Sequence, residues 1–428
     1  MQKIACLKSK LIWAFNALLI LFVLGCTPDD YGIQHIIPLD QSHTKYGPKT
    51  SFKNQEKAYQ KFRINFLSPW KAPQPSAKRS EIQEEFSFFE SRLGYSENRK
   101  KRESTWLNHL LDNADLDSYP NIRKPAITIT STTLRHLPTH KPLFKEDTHE
   151  EVFFDRLQKT TLYANTPIHV HHQSKDKAWL YVSSCYANGW ISAKDIAFVS
   201  PAQISFFSEA KWVAMIQDDV PLISTSTYRT VGRIGMLLPK ITAQKNGTNA
   251  IVFDRDSDYQ AVAIPVFLSE QQAADQPVPF NEAIVQKLAN SLTGQAYGWG
   301  GSYENRDCSA LLKDFMVPFG LFLPRHSADQ AKKTGAFISF DELSVKEKEE
   351  KILNEGIAYQ TLLWFPGHIM LYIGSYQKKP YVFHAIWKLQ NSKMMIGQSV
   401  ISTLELKDDQ NLSLLNRLKG MTILNQSP

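Results

Sequence analysis

The 428-residue chain reads as an α+β protein assembled in series: a helical N-terminal segment, a run of short strands, and a C-terminal segment that mixes helices with longer strands. Three patterns lead there. Phe86, Phe88 and Phe89 offer a buried face within a helical stretch from Ser80 to Leu93. Short alternating strands then recur at roughly ten-residue spacing between 123 and 270. Beyond 280, a helix, a glycine-rich loop, a second helix and a strand–turn–strand run succeed one another.

Lys and Arg number 49 against 42 Asp and Glu, for a net charge of +7 spread along the chain. No basic patch is interleaved with aromatics, so no nucleic-acid partner is expected. The length suits about three domains of ordinary globular composition.

Residues 1–26 read as a targeting segment. Lys3, Lys8 and Lys10 precede an apolar run from Leu11 to Leu24, short for a membrane span and suited to a signal sequence. The ending Val23-Leu24-Gly25-Cys26 resembles a bacterial lipobox, which implies a lipoprotein signal peptide and a lipid on Cys26. An uncleaved anchor is the alternative, and both readings tether the protein at a membrane outside the cytoplasm. Thr27 lacks the aspartate associated with inner-membrane retention, which points to an outer-membrane, periplasmic lipoprotein of the cell envelope. With Cys6 removed and Cys26 lipidated, Cys185 and Cys308 remain, too few for a disulfide framework.

Residues 27–122 form a tether and a clip domain, polar and broken by Pro69, Pro73 and Pro75, with helical stretches at 80–93 and around Trp106-Leu107. Residues 123–200 carry the strands Ala126–Thr130, Pro167–His171, Trp179–Val182 and Gly189–Ile191, which suggest a small barrel. Their Trp-x-Tyr-Val and Gly-Trp-Ile order resembles bacterial SH3-like domains. His169, His171 and His172 invite a metal reading, but alternation puts His169 and His171 on an exposed face without further ligands, so no metal is expected. Residues 201–270 repeat the theme as a second SH3-like barrel, and 271–279 reads as a polar linker.

The segment 280–428 carries the chemistry. A helix runs from Asn281 to Leu292, then Tyr297-Gly298-Trp299-Gly300-Gly301 leads to Asp307-Cys308-Ser309. Leu311, Leu312, Phe315, Met316 and Phe319 make one apolar helical stripe, with Asp307 as candidate N-cap and Cys308 in the first turn. A thiol there faces unsatisfied N–H groups and the positive dipole end, which favour the thiolate nucleophile. The alternative is a small buried hydrophobe.

A cysteine nucleophile needs a base with an orienting partner. His368 and His384 lie in two strands joined near Tyr376; a hairpin symmetric about Tyr376 would set them directly opposite each other, about 5 Å apart at Cβ.

The order Tyr-Gly-Trp-Gly-Gly, Asp-Cys-Ser, Gly-His-Ile-Met-Leu-Tyr-Ile-Gly and His-Ala, together with Leu323-Pro324-Arg325-His326-Ser327-Ala328-Asp329-Gln330, resembles the NlpC-type papain-like cysteine peptidases of bacterial cell walls over about residues 280–400. The resemblance implies a papain-like cysteine peptidase domain preceded by two small SH3-like β-barrels and an N-terminal clip. It implies catalytic Cys308, His368 and His384, with Tyr297, Trp299, Asp307, Ser309, His326 and Ser327 lining a substrate groove and no cofactor. The branch with this architecture hydrolyses the γ-D-glutamyl to diaminopimelate amide bond of murein stem peptides. In some of its members the first barrel walls one end of the groove and restricts cleavage to peptides with a free N-terminal L-alanine. His326 stands where those relatives commonly carry an acid for the substrate amine, so a relaxed requirement is expected. Two further readings stay open: a non-catalytic murein-binding lipoprotein, and an amidase or acyltransferase on the same scaffold.

Overall fold

The computed structural model describes residues 37–46, 51–71, 75–224 and 227–424. The signal segment and Cys26 lie outside the described residues. Within them, no helix is long and apolar enough to cross a membrane.

Helices α1 (Gln55–Phe66), α2 (Ser68–Lys71), α3 (Arg79–Glu90) and α4 (Ser104–Ala114) make the N-terminal part. They form because each has one apolar face with a core waiting for it. Phe62 and Phe66 of α1 pack on Trp212, and Arg63 lies over that indole at 4.1 Å. Ile82, Phe86 and Phe89 of α3 pack with Leu107 of α4 against Trp179, Tyr181 and Trp190. The segment before α1 straps the C-terminal domain: His43, fully buried, bonds Tyr359 at 2.7 Å and Thr293 at 3.0 Å.

The first β-unit holds β1 (Lys124–Thr128), β2 (Thr132–Arg135), β3 (Gln158–Leu162), β4 (Pro167–Gln173), β5 (Trp179–Ser184), β6 (Asn188–Ser192) and β7 (Ile196–Phe198), in the sheet order β3-β2-β6-β5-β4-β1-β7. The expected exposure of His169 and His171 is corrected here. A register shift between Val170 and His172 breaks the alternation, and the N-terminal helices cover this face. His171 and His172 are buried, His171 against Ser183 and His172 against the Ala114 carbonyl. His169 is half-buried, bonded to the Pro69 carbonyl.

Helix α5 (Pro201–Glu209) leads into the second β-unit: β8 (Trp212–Met215), β9 (Val220–Ser224), β10 (Thr227–Gly232), β11 (Leu237–Gln244), β12 (Gly247–Arg255), β13 (Ala261–Ser269) and β14 (Ala273–Asp275). The stretch read as a linker from 271 is therefore partly strand. β14 closes the sheet beside β8, because Ala273 can fill the core there while Asp275 stays outside to meet Lys240.

The C-terminal domain stacks helices on a six-stranded antiparallel sheet. The helices are α6 (Glu282–Leu292), α7 (Cys308–Met316), α8 (Ser327–Lys333), α9 (Val345–Glu355) and α10 (Leu414–Arg417). The strands are β15 (Gly335–Ser339), β16 (Thr361–Phe365), β17 (His368–Tyr376), β18 (Lys379–Lys388), β19 (Met395–Thr403) and β20 (Gly420–Leu424), ordered β15-β20-β16-β17-β18-β19. Every residue of α7 is buried. Leu311, Leu312, Phe315 and Met316 of α7, with Phe319 just beyond it, meet Ile369, Leu371 and Phe383 of the sheet. Each such side chain contributes about 1.5–3 kcal/mol on burial. That packing fixes the helix start, and with it Cys308, against the start of β17.

Candidate active site

Asp307 caps α7, its carboxylate accepting from the N–H groups of Ser309 and Ala310 at 3.1 and 2.9 Å. The same carboxylate accepts from Gly300 N–H at 3.1 Å and from both terminal nitrogens of Arg325, one of them at 2.9 Å. Arg325 reaches on to Thr160 of β3 at 2.9 Å. Burial works against the Asp307 charge, but Arg325 and these bonds outweigh it and hold the carboxyl below its ordinary range. Asp307 and Ser309 thus stand at the cleft wall with their polar atoms spent on this pair.

Cys308 opens α7 and is 8 % exposed. The helix-end argument favours a thiolate, and the structure differs. Burial first, then the Asp307 charge, push the thiol up to about 12, against the opposing pull of a bond from the Ile369 N–H. Burial thus favours the neutral thiol over the thiolate.

His368 begins β17, the strand of Ile369. Its Nε2 lies 2.8 Å from Nδ1 of His384 on β18, and His384 Nε2 lies 3.0 Å from Ser402 Oγ on β19. That leaves Nδ1 of His368 without a partner among the described residues. Burial lowers the His368 imidazole to about 4 and sends His384 well down as well, with His368 adding to the effect. Burial thus favours the neutral form of both rings.

The expected hairpin geometry is corrected. Gln377 and Lys378 both take positive φ and form the two-residue turn, with Tyr376 paired to Lys379. An extra residue at Ile373 shifts the register again, so that Leu371 faces Phe383. His368 and His384 therefore stand diagonally, not directly opposite. The offset is even, which keeps both on one face and within reach.

Two clefts flank this centre. One, of about 840 Å³, is lined by Cys308, Trp299, His326 and Ser327 and closed by Glu81, Lys159, Tyr181 and Asn188 of the N-terminal part and first β-unit. The other, of about 820 Å³, is lined by His368 and Trp387 together with Glu150 and Phe154. Tyr297, Pro366 and Gly367 line both. Tyr297 is half-buried, and burial raises its phenol. His326 is exposed, and Trp299 is 40 % exposed against Phe154.

This arrangement meets known proteins in three places. Residues 294–406 match the NlpC/P60 family, residues 142–192 an SH3 domain of SH3b1 type, and residues 12–119 the N-terminal NLPC_P60 stabilising domain. The chain carries an NlpC/P60 domain behind an SH3b domain. NlpC/P60 is a cysteine peptidase family, and the whole architecture has a counterpart among solved structures. An NlpC/P60 endopeptidase from Photobacterium damselae subsp. piscicida superposes with a TM-score of 0.80 at 22 % identity, covering 92 % of this chain and 98 % of that one. An NlpC/P60 family protein from Bacillus cereus gives a TM-score of 0.45 at 12 % identity over 65 % of this chain and 86 % of its own. No curated protein matches the chain closely enough to count as a relative. The NlpC/P60 endopeptidase fold, α+β with an SH3-like region before it, is thereby established.

Four residues that brace the site are not singled out by the sequence. Arg325 was visible in the Pro-Arg pair, but nothing in the pattern tied it to Asp307. Thr160 and Thr161 lie in a β-unit whose docking no local signal reveals. Ser402 sits in an ordinary alternating strand. Among the described residues, no group of three or more His, Cys, Asp or Glu is placed to hold a metal.

Proposed function

We propose that this protein is a cell-wall cysteine endopeptidase that hydrolyses the γ-D-glutamyl to diaminopimelate amide bond of murein stem peptides. The observation that carries it is the His368–His384 bond of 2.8 Å beside a cysteine at a helix start, inside an NlpC/P60 domain. His368 Nδ1 takes the thiol proton as Cys308 Sγ attacks the amide carbonyl carbon. The oxyanion is met by the Cys308 N–H and the Tyr297 hydroxyl. His368 then returns its proton to the leaving amine as the C–N bond breaks, and water resolves the thioester by the same route.

The two clefts divide the substrate accordingly. The acyl half stays on Cys308, in the cleft walled by the first β-unit, while the amine half leaves on the His368 side. In this reading His326, exposed in the acyl cleft, replaces an acid with a group that pairs poorly with an ammonium, so a free N-terminal L-alanine is not demanded. The lipobox resemblance at Cys26 supports, as part of this reading, a cell-envelope enzyme tethered to the outer membrane.

The test is mass spectrometry of products from the fragment beginning at residue 27, incubated with L-Ala-γ-D-Glu-diaminopimelate or with intact sacculi, with Cys308→Ala as control. Release of L-Ala-D-Glu that depends on Cys308 supports the reading. Cleavage of the free peptide alone removes the relaxed requirement at His326, and no product from either substrate overturns the peptidase.

A further inference from the structure

His384 uses both ring nitrogens, and only one of its partners is a histidine. Ser402 projects from β19, fully buried, and its Oγ lies 3.0 Å from His384 Nε2. The β18–β19 register explains the reach: His384 faces Val400 and Ser402 faces Val382, so serine and histidine are diagonal neighbours on one face. A neutral imidazole carries one proton, so the two bonds of His384 are not independent. If Ser402 Oγ accepts from His384 Nε2–H, then His384 Nδ1 must accept from His368 Nε2–H. The lone pair of His368 is then on Nδ1, the nitrogen free to take a thiol proton. If the hydroxyl donates instead, every proton shifts by one place and His368 presents Nδ1–H. That hydrogen would compete for a sulfur already bonded by the Ile369 N–H.

We infer that Ser402 is a positioning residue of the catalytic centre, whose hydroxyl accepts from His384 and thereby sets the base-competent tautomer of His368. The inference rests on the peptidase reading above and adds to it a fourth member, one that touches no substrate. Asparagine or a carboxylate in the orienting place needs no such help, because its oxygen can only accept. Histidine in that place can face either way, and because the Ser402 hydroxyl can donate or accept as well, the accepting sense follows from the demand that His368 present its lone pair on Nδ1.

The ring protonation is read directly by nitrogen NMR of histidine-labelled protein without substrate. In the native sequence His384 and His368 are each expected to carry their proton on Nε2. Ser402→Ala should move His384 toward the Nδ1–H form and lower kcat about tenfold with KM unchanged, the loss of one hydrogen bond's worth of orientation. Ser402→Thr, which keeps the hydroxyl on a strand that tolerates β-branching, should stay within about twofold. Finding His384 protonated on Nδ1 in the native sequence overturns the inference even if Ser402→Ala does not fold. So does a Ser402→Ala enzyme with native kcat. Because the NMR readout needs no turnover, an inactive native enzyme would count against the peptidase reading alone and leave the tautomer to be judged separately.

Discussion

Thr161 of the first β-unit donates from Oγ1 to the Gly301 carbonyl at 2.7 Å, joining residues 140 positions apart. Beside it, Gln158 Nε2 donates to the Gly300 carbonyl at 3.1 Å. The loop that carries Tyr297 and Trp299 is thus seated on β3, not on its own domain alone. Gly300 and Gly301 have φ of +59° and +85°, and a Cβ on Gly301 would stand 2.7 Å from Thr161 Oγ1 and 2.9 Å from its backbone nitrogen. Both the turn and the docking require glycine there. Gly301→Ala should cost about 1–3 kcal/mol of stability and, by displacing the loop beside Cys308, at least about tenfold in kcat/KM. Thr161→Val, which keeps shape and drops one bond, should cost about 1 kcal/mol. Thermal melts with peptide turnover decide the matter, and a Gly301→Ala protein as stable and active as the parent would contradict the docking.

A neutral Cys308–His368 pair, the state burial favours, has a pH signature. His368 must be unprotonated to accept the thiol proton, so activity is lost as pH falls through its pKa. Burial puts that value at about 4, against an ordinary 6.5. The acid limb of kcat/KM should therefore centre near 4 and be flat through 6.5. Cys308, held up at about 12, should alkylate slowly with iodoacetamide at pH 7, without the early plateau of a thiolate–imidazolium pair. A limb centred at 6.5, or fast alkylation at neutral pH, would show that the centre rests as an ion pair.

Arg325 and Asp307 form a buried ion pair whose arginine also holds Thr160. Arg325→Met leaves a carboxylate buried without its partner and should destabilise by about 3–5 kcal/mol. Arg325→Lys keeps the charge but lacks the fork, and should fall between. Pairing Arg325→Met with Asp307→Asn should recover part of the loss. Denaturant midpoints of the three variants test this. Equal midpoints for the single methionine variant and the double variant would mean the carboxylate is not the cause.

The helix that begins at Cys308 was legible because an apolar stripe and a capping aspartate agree on where it starts, and such agreement across levels is what specifies a fold. His368 and His384 were legible as a pair because a strand's period of two survives an even register error. The actual register was hidden: nothing in Tyr376-Gln377-Lys378 advertises left-handed φ at two non-glycine residues, and the extra residue at Ile373 has no sequence mark. His169 and His171 were misplaced because burial by the N-terminal helices is a tertiary fact. The charge state of Cys308 is set by the same kind of tertiary fact, since the burial that opposes a thiolate at the helix end comes from the packing around it.

His43 ties the N-terminal strap to the C-terminal domain as a neutral ring, its backbone N–H bonded to Asn290 Oδ1 at 2.8 Å and its imidazole to Tyr359 and Thr293. Burial lowers its pKa to about 3. Its contribution is present in full above the unfolded value near 6.5. As pH falls below that value, the detached strap binds a proton that the docked strap refuses, and stability is lost until pH reaches about 3. The slope is at most about 1.4 kcal/mol per pH unit across that window. Hydrogen exchange of residues 37–46, corrected for intrinsic rates, should show protection falling between pH 6.5 and 4.5 in the parent chain. In His43→Gln, which has no proton to gain, protection should start lower at pH 7 and change less over the same range. Equal slopes in the two proteins would remove His43 as the titrating group.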